Sequence, residues 1–244
     1  MIEAHREYLG RELENFATVL NWKRYWSSMI VPYLGKQVLE VGAGIGSSTK
    51  VLTSMSPAEH WLCLEPDPEN IRVLRREKRE GGLPGFVELR EGTLLDLSPH
   101  EEFESVLYID VLEHIQDDKT EIKLAVGHLS PGGHLIILAP AYPFLFSEFD
   151  QAIGHYRRYT RSMFAGSYGP SLRITCARYL DSLGLLPSLA NRVLLHSPLP
   201  SRGQLAFWDR LLVPISRRID RMLGYRFGRS ILLVYQKTGE LDGR

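Results

Sequence analysis

Val38-Leu39-Glu40-Val41-Gly42-Ala43-Gly44-Ile45-Gly46-Ser47-Ser48-Thr49 decides how the rest of this chain is read. Val38 to Val41 is a short run of β-favouring residues. Glycines follow at three alternate positions, and a helical pattern then runs through Lys50 and Leu52. A strand, a glycine turn and a helix in that order build a ligand site at the carboxyl end of a buried parallel strand. Glycine lets the backbone turn sharply and lets a ligand approach with no Cβ in the way. The spacing is G-x-G-x-G, not the G-x-G-x-x-G that seats a pyrophosphate on a helix N-terminus. Glu40, two residues before the first glycine, offers a carboxylate instead, which suits a cationic ligand.

Working outward, Trp61 to Leu64 reads as a second strand ending in Glu65, nineteen residues past Gly46. An acidic side chain at that tip can accept both hydroxyls of a ribose. Asp67 is placed to N-cap the next helix, with Pro68 at its first position. The basic outer face of that helix (Arg72, Arg75, Arg76, Lys78, Arg79) reads as solvated. Phe86–Leu89 and Ser105–Ile109 follow as strands three and four, and Asp110-Val111-Leu112-Glu113-His114 stands at the carboxyl end of the fourth. Asp117 and Asp118 are placed to cap a helix running to His128. Ser130-Pro131-Gly132-Gly133 reads as a turn and His134–Ala139 as strand five. Arg173–Tyr179 and Ile231–Lys237 complete the strands, separated by a long excursion.

The stretches E-V-G-A-G-I-G, L-E-P-D, L-Y-I-D-V-L-E-H-I and L-S-P-G-G-H-L-I-I, in this order from about Asn21 to Tyr159, resemble the motif set of class I S-adenosylmethionine-dependent methyltransferases. The resemblance implies an α/β, Rossmann-like, seven-stranded and mostly parallel sheet with a reversed β-hairpin at its edge. It implies a helical cap over residues 1–34, a cofactor-binding catalytic domain over 35–182 and 230–238, and a helical insertion over 183–229. S-adenosylmethionine is the implied cofactor. The residues expected to hold it are Glu40, Gly42, Ala43, Gly44, Gly46, Glu65, Pro66, Thr93, Leu94, Asp110 and Val111. Thr93 stands where similar proteins often carry Asp against the adenine amine, and Leu94 is expected against the ring. In the cap, Leu9, Leu13, Phe16, Val19 and Leu20 mark one apolar face. Trp22 and Tyr25 either meet the amino-acid end of the cofactor or pack the helix onto the sheet.

Composition excludes several classes. Lys plus Arg equals Asp plus Glu, 29 against 29, so no net basic field points to nucleic acid. The Asn/Asp-Pro-Pro-Tyr/Phe signature of many base and glutamine methylators does not occur after strand four. That favours a hydroxyl, carboxyl or simple amine acceptor. Cys63 and Cys176 both fall inside strands and read as small buried hydrophobes. The longest apolar run, Leu135 to Phe146, is too short to span a bilayer and is broken by Pro140 and Pro143. The first residues lack the apolar core of a signal peptide, so a cytoplasmic location is expected. The tail after Thr238 reads as disordered.

Specificity is expected in the aromatic, mixed-charge stretch from Pro140 to Tyr159. Tyr142, Phe144, His155, Arg157, Arg158 and Tyr159 are the expected acceptor contacts. His155 is the candidate general base, since imidazole titrates near ~6.5, with Asp150 and His114 in reserve; a structural hydrogen bond is the alternative. Arg157 and Arg158 either clamp an anionic group or pair with Glu148 and Asp150. Asp110, Glu113 and His114 read as loop polarity rather than metal ligands, and no metal is expected. In the insertion, Phe207, Trp208, Leu211, Leu212, Ile215, Ile219, Met222 and Leu223 recur at helical spacing against Arg210, Arg217, Arg218 and Arg221. This is a lid or dimer contact, a membrane-surface helix, or a helix packed on its own domain. The expected activity is methyl transfer to a small molecule, at a hydroxyl of a sugar, glycolipid or natural product. The alternatives are a small-amine N-methyltransferase and a non-catalytic binding protein. The protein is expected as a monomer or homodimer, with peripheral membrane contact allowed and no transmembrane segment.

Overall fold

β1 (Gln37–Val41) is buried from Val38 onward and lies between two parallel neighbours, β2 (His60–Glu65) and β4 (Phe103–Ile109). A parallel strand covered on both faces has no polar side to show, hence the continuous apolar runs in all three. The computed structural model describes residues 13–164, 171–195 and 200–238. Leu9 and the tail beyond Thr238 lie outside the described residues. The sheet has seven strands in the order β3-β2-β1-β4-β5-β7-β6, with β3 Val87–Glu91, β5 Leu129–Pro140, β6 Leu172–Leu180 and β7 Ser230–Lys237. β7 runs antiparallel to both β5 and β6, the reversed edge hairpin expected. Strand order reverses between β1 and β4, so a crevice opens there above the carboxyl ends.

Helices α1 (Leu20–Ile30), α2 (Ser47–Thr53), α3 (Pro68–Arg79), α4 (Asp118–Gly127), α5 (Glu148–Ala152), α6 (Arg161–Phe164), α7 (Leu185–Ala190), α8 (Arg202–Phe207) and α9 (Val213–Met222) cover the sheet and its upper edge. On one face Trp22, Trp26 and Ile30 of α1 pack with Val38, Trp61, Leu107 and Leu232. On the other, Ile122 and Ala125 of α4 pack with Leu39, Val106 and Ile137. Asp67 caps α3 as expected, accepting from the amides of Glu69 and Asn70. Asp117 caps α4 through the Thr120 amide. Both cysteines are buried and unbonded to each other.

Two expectations need correcting. The turn at 130–133 is a bulge inside one long strand: Phe103 pairs with Leu129, Ser105 pairs with His134, and the residues between loop out. In the insertion, the apolar stripe packs only in part, through Trp208 and, half-buried, Leu212 and Ile219. Buried are Leu205, Trp208, Asp209, Val213, Ser216 and Asp220, whereas Phe207, Leu211, Ile215, Met222 and Leu223 are exposed. A π-helical turn, Trp208–Leu212, joins α8 to α9. It turns the helix face, and buried carboxylates supply the contacts that apolar residues were expected to make.

Candidate active site

The three glycines of the first turn all have left-handed φ, but they serve different ends. A Cβ on Gly42 would sit 2.8 Å from both methyls of Val111, and one on Gly46 would sit 2.3 Å from Leu74. Those two make room for protein. At Gly44 the nearest side chain is Leu13, 3.7 Å away, so this glycine borders open space. A cavity of about 440 Å³ begins there, lined at this end by Glu40, Gly42, Ala43 and Gly44. Glu65 pins the turn from β2: its Oε2 accepts the Gly44 amide at 2.6 Å and its Oε1 the Asp67 amide at 2.9 Å. Glu40 is fully buried, and burial pushes its carboxyl up to about 7 although the Trp61 indole donates to it at 2.8 Å. Its hydrogen-bond donors are neutral, and together with the more distant charge of Lys23 they offset only part of the lost hydration of a charge.

The far end is assembled where the chain leaves β4 and β5. After β5 it loops out and returns: the Tyr159 amide donates to Pro140 O, the Tyr142 amide to Tyr159 O, and the Tyr156 amide to Glu113 O, each at 2.8 Å. This return lays His155 over the end of β4, beside Glu113 and His114. The His155 and His114 rings meet edge to face with centroids 4.6 Å apart. Asp150, at the third position of α5, accepts the Ser147 amide at 2.8 Å, two guanidinium bonds from Arg158 at 2.8 and 2.9 Å, and His155 Nδ1 at 2.9 Å. Burial alone would raise this carboxyl, but the bonds from His155 and Arg158 outweigh it and hold it at about 2. Asp150 is therefore ionised and His155 donates to it through Nδ1; His155 lines the cavity, and its Nε2 lies 3.8 Å from Glu113 Oε1. Glu113 is 0 % exposed, and neither carboxylate oxygen has a hydrogen-bond partner among the described residues. Burial, with Asp110 nearby, pushes its carboxyl well above the usual range.

α1 and the insertion close the top. The N-terminus of α1 has no cap of its own, and the insertion supplies one: Asp209 accepts the amides of Asn21 at 3.2 Å and Trp22 at 2.8 Å. Asp220 accepts the Tyr25 hydroxyl at 2.7 Å and the amides of Asp181 and Ser182. Asp181, itself at φ 64°, receives the Trp208 indole, the Ser216 hydroxyl and Arg229. Held this way, Trp22 and Lys23 of α1 and Trp208 and Arg229 of the insertion line the cavity.

Of the residues expected at the site, the cavity gathers Trp22, Glu40, Gly42, Ala43, Gly44, Asp110, His114, Asp150, His155 and Arg158. The others stand elsewhere. Tyr25 is committed to Asp220, and Gly46, Glu65 and Val111 support the turn. Pro66 is exposed at the tip of β2. Thr93 caps a short 3-10 turn with Asp96. Leu94 is 2 % exposed and belongs to the core, whereas its neighbour Leu95 is 77 % exposed. Leu94 is thus not placed to meet a ring, because its side chain is in the core. Tyr142 stacks between Phe144 and Tyr179, away from the cavity. Tyr159 donates to Leu112 O and Asp118, and Arg157 pairs with Asp118 at 2.9 Å. Of the two alternatives for these arginines, ion pairing is the one seen: Arg158 holds Asp150, and Arg157 holds Asp118 rather than Glu148. Sequence reading missed Lys23, Trp208 and Arg229. Lys23 had a signal: it is the lone cation on the α1 face carrying Trp22 and Trp26.

Comparison with known proteins agrees with this architecture. Residues 39–137 match the family model described as a methyltransferase domain. Fold and match define the class: the chain carries the class I S-adenosylmethionine-dependent methyltransferase fold. Among particular proteins, it is 32% identical over 106 residues to a ubiquinone biosynthesis O-methyltransferase of Paramagnetospirillum magneticum. That match covers 43% of this chain and 41% of the relative, so the likeness spans about two-fifths of the relative's length. A putative methyltransferase from Bacillus halodurans C-125 superposes with a TM-score of 0.59 at 15% identity, over 88% of this chain and 99% of that one. The [4+2]-cyclase SpnF superposes with a TM-score of 0.60 at 15% identity, over 88% of this chain and 80% of its own. One fold thus carries different chemistries, and the site must decide between them. No helix among the described residues is long and apolar enough to cross a membrane.

Proposed function

We propose that this protein is an S-adenosylmethionine-dependent O-methyltransferase acting on a hydroxyl of a small, amphiphilic acceptor of sugar, glycolipid or natural-product type. The carrying observation is the Asp150–His155 pair: Asp150 holds Nδ1, and His155 lines the same cavity as the glycine turn. The lining fits the methionyl end of the cofactor. Glu40 and Asp110 offer carboxylates to its cationic groups, Lys23 offers a cation to its carboxylate, and Gly44 leaves space for it. When bound, the cofactor supplies a methyl group activated on a sulfonium. The protein's part is to hold the acceptor oxygen in line with that methyl, an orientation effect worth up to ~7–11 kcal/mol in model reactions. His155 Nε2 takes the hydroxyl proton, and Asp150 fixes the ring and stabilises the cation that forms. His155→Ala is expected to keep S-adenosylhomocysteine affinity and to lose turnover by ~10²–10⁴-fold. Normal turnover in that variant removes His155 from the mechanism.

The acceptor's character is read from the insertion. Phe207, Leu211, Ile215, Met222, Leu223 and Phe227 are exposed, together with Arg210, Arg217, Arg218, Arg221 and Arg226. None of these arginines has an acidic partner among the described residues. Exposed apolar groups interleaved with unpaired cations suit an anionic lipid surface. Phe207 also lines the cavity, so such a surface would meet its mouth. Co-flotation with phosphatidylglycerol vesicles, lost in high salt and in an Arg217→Glu/Arg221→Glu variant, is the expected result. Protein left at the bottom of the gradient at low salt overturns it. The 183–229 segment then serves as a docking wall rather than a lid, since buried carboxylates tie it to α1.

A further inference from the structure

Glu113 is a buried carboxylate with no hydrogen-bond donor to either oxygen among the described residues. Buried acids normally find hydrogen bonds, and one without them needs a proton or a cation. Two imidazoles converge on it. His155 Nε2 is 3.8 Å from Glu113 Oε1, and one donor atom from each of Glu113, His114 and His155 lies within 4.8 Å of the other two. These separations are a few tenths to about 1.5 Å wider than the ~3.4 Å edge of a tetrahedron with ~2.1 Å bonds, a gap that rotations of the two rings can close. His155 is already prepared as a ligand. Its Nδ1 is hydrogen-bonded to Asp150, which Arg158 holds in place, so Nε2 is the nitrogen left to ligate. Carboxylate–histidine–metal chains of this kind fix the tautomer and raise the basicity of the ligating nitrogen.

We infer that Glu113, His114 and His155 bind a divalent transition-metal ion, with Asp150 as the carboxylate orienting His155. Two imidazoles and one carboxylate suit zinc or manganese better than magnesium or calcium, which take oxygen ligands. Three protein ligands leave coordination positions open toward the cavity. With the ion bound, an acceptor hydroxyl would be polarised there and release its proton to solvent; Nε2 is then a ligand, and it acts as the base proposed above only in the metal-free protein. The inference rests on the O-methyltransferase reading for its purpose, but the site itself does not depend on it. The arrangement was not visible along the chain, because His155 arrives from a different loop than Glu113 and His114.

The test is calorimetry and elemental analysis on full-length protein stripped with chelator, titrated with Zn²⁺, Mn²⁺ and Mg²⁺ separately. Zn²⁺ or Mn²⁺ is expected to bind at one equivalent, and Mg²⁺ at least tenfold more weakly. Glu113→Gln and His155→Gln should each weaken binding at least a hundredfold, and Asp150→Asn ten- to a hundredfold. His134→Gln, on β5, should change nothing. His114 is exposed, so His114→Gln provides a variant expected to fold even where Glu113→Gln does not, and it too should weaken binding. Stripped wild type that binds none of the three ions, or binds them unchanged after Glu113→Gln and His114→Gln, overturns the site. S-adenosylhomocysteine titrated in parallel separates the two readings. Its binding without metal uptake ends the metal site alone, and metal uptake without it supports the site while ending the methyltransferase reading.

Discussion

The two ends of the cavity each bury a carboxylate, and the two behave oppositely. Glu40, at the glycine turn, has neutral donors and is pushed up to about 7. Asp150, at the ends of β4 and β5, has a guanidinium and an imidazole and is held at about 2. Burial raises both carboxyls; it prevails at Glu40, whose donors are neutral, and is outweighed at Asp150, whose partners are a guanidinium and an imidazole. The glycine end keeps a carboxyl poised to ionise when a cation arrives. The other end keeps a fixed negative charge that orients His155 whether or not a ligand is present.

The largest expected effect comes from breaking the fixed end. Asp150→Ala leaves Arg158 buried without its counter-charge and His155 without its anchor. A loss of ~3–5 kcal/mol in urea unfolding is expected. In wild type, the Asp150 carboxyl is lower when folded than its ordinary 3.8. Its contribution is present above about pH 4 and lost as pH falls through about 2. An Asp150→Ala protein as stable as wild type at pH 7 would mean that the pair contributes orientation and no stability.

Glu40→Gln should do the reverse. The folded carboxyl sits at about 7 against an ordinary 4.5, so between those values the folded state holds a proton that the unfolded chain gives up. Wild-type stability is greatest in this respect below pH 4.5 and falls as pH rises through 7, by about 3 kcal/mol. The glutamine keeps the bond from the Trp61 indole and carries no charge. It should match wild type at pH 5 and exceed it at pH 8, measured by urea midpoints at the two pH values. Equal pH slopes in the two proteins would show that Glu40 ionises as freely as in water.

The same two ends differ in how far they could be read from the chain. The glycine end is local: Val38 to Gly46, Glu65 and the Asp67 cap lie within thirty residues, and short apolar strands and turn chemistry name them directly. The reversed hairpin came from the family resemblance, which the two strands separated by a long excursion fit. At the far end, Asp150 and His155 lie roughly forty residues from Glu113, and only the return of 140–159 across β4 joins them. Residue types told of polarity there, but not that Arg158 and Arg157 were already engaged. The insertion misled for another reason. Helical spacing assigns the packed face to apolar residues, but Asp181, Asp209 and Asp220 bury the polar face by taking backbone amides and hydroxyls.

The smallest effect sharpens where the glycine end stops. Leu94 and Leu95 are adjacent, and one lies in the core while the other lies in solvent beside the tip of β3. Leu94→Ala should cost ~2–5 kcal/mol of stability through its cavity. Leu95→Ala should leave stability within about 0.5 kcal/mol. If the adenine of the cofactor lies on this turn, part of the Leu95 side chain is buried on binding, and its loss should weaken S-adenosylhomocysteine about three- to tenfold by calorimetry. The pair of variants separates folding from binding at neighbouring positions. Unchanged affinity in Leu95→Ala would place the ring away from β3 and confine the cofactor to the lining between Gly44 and Asp110.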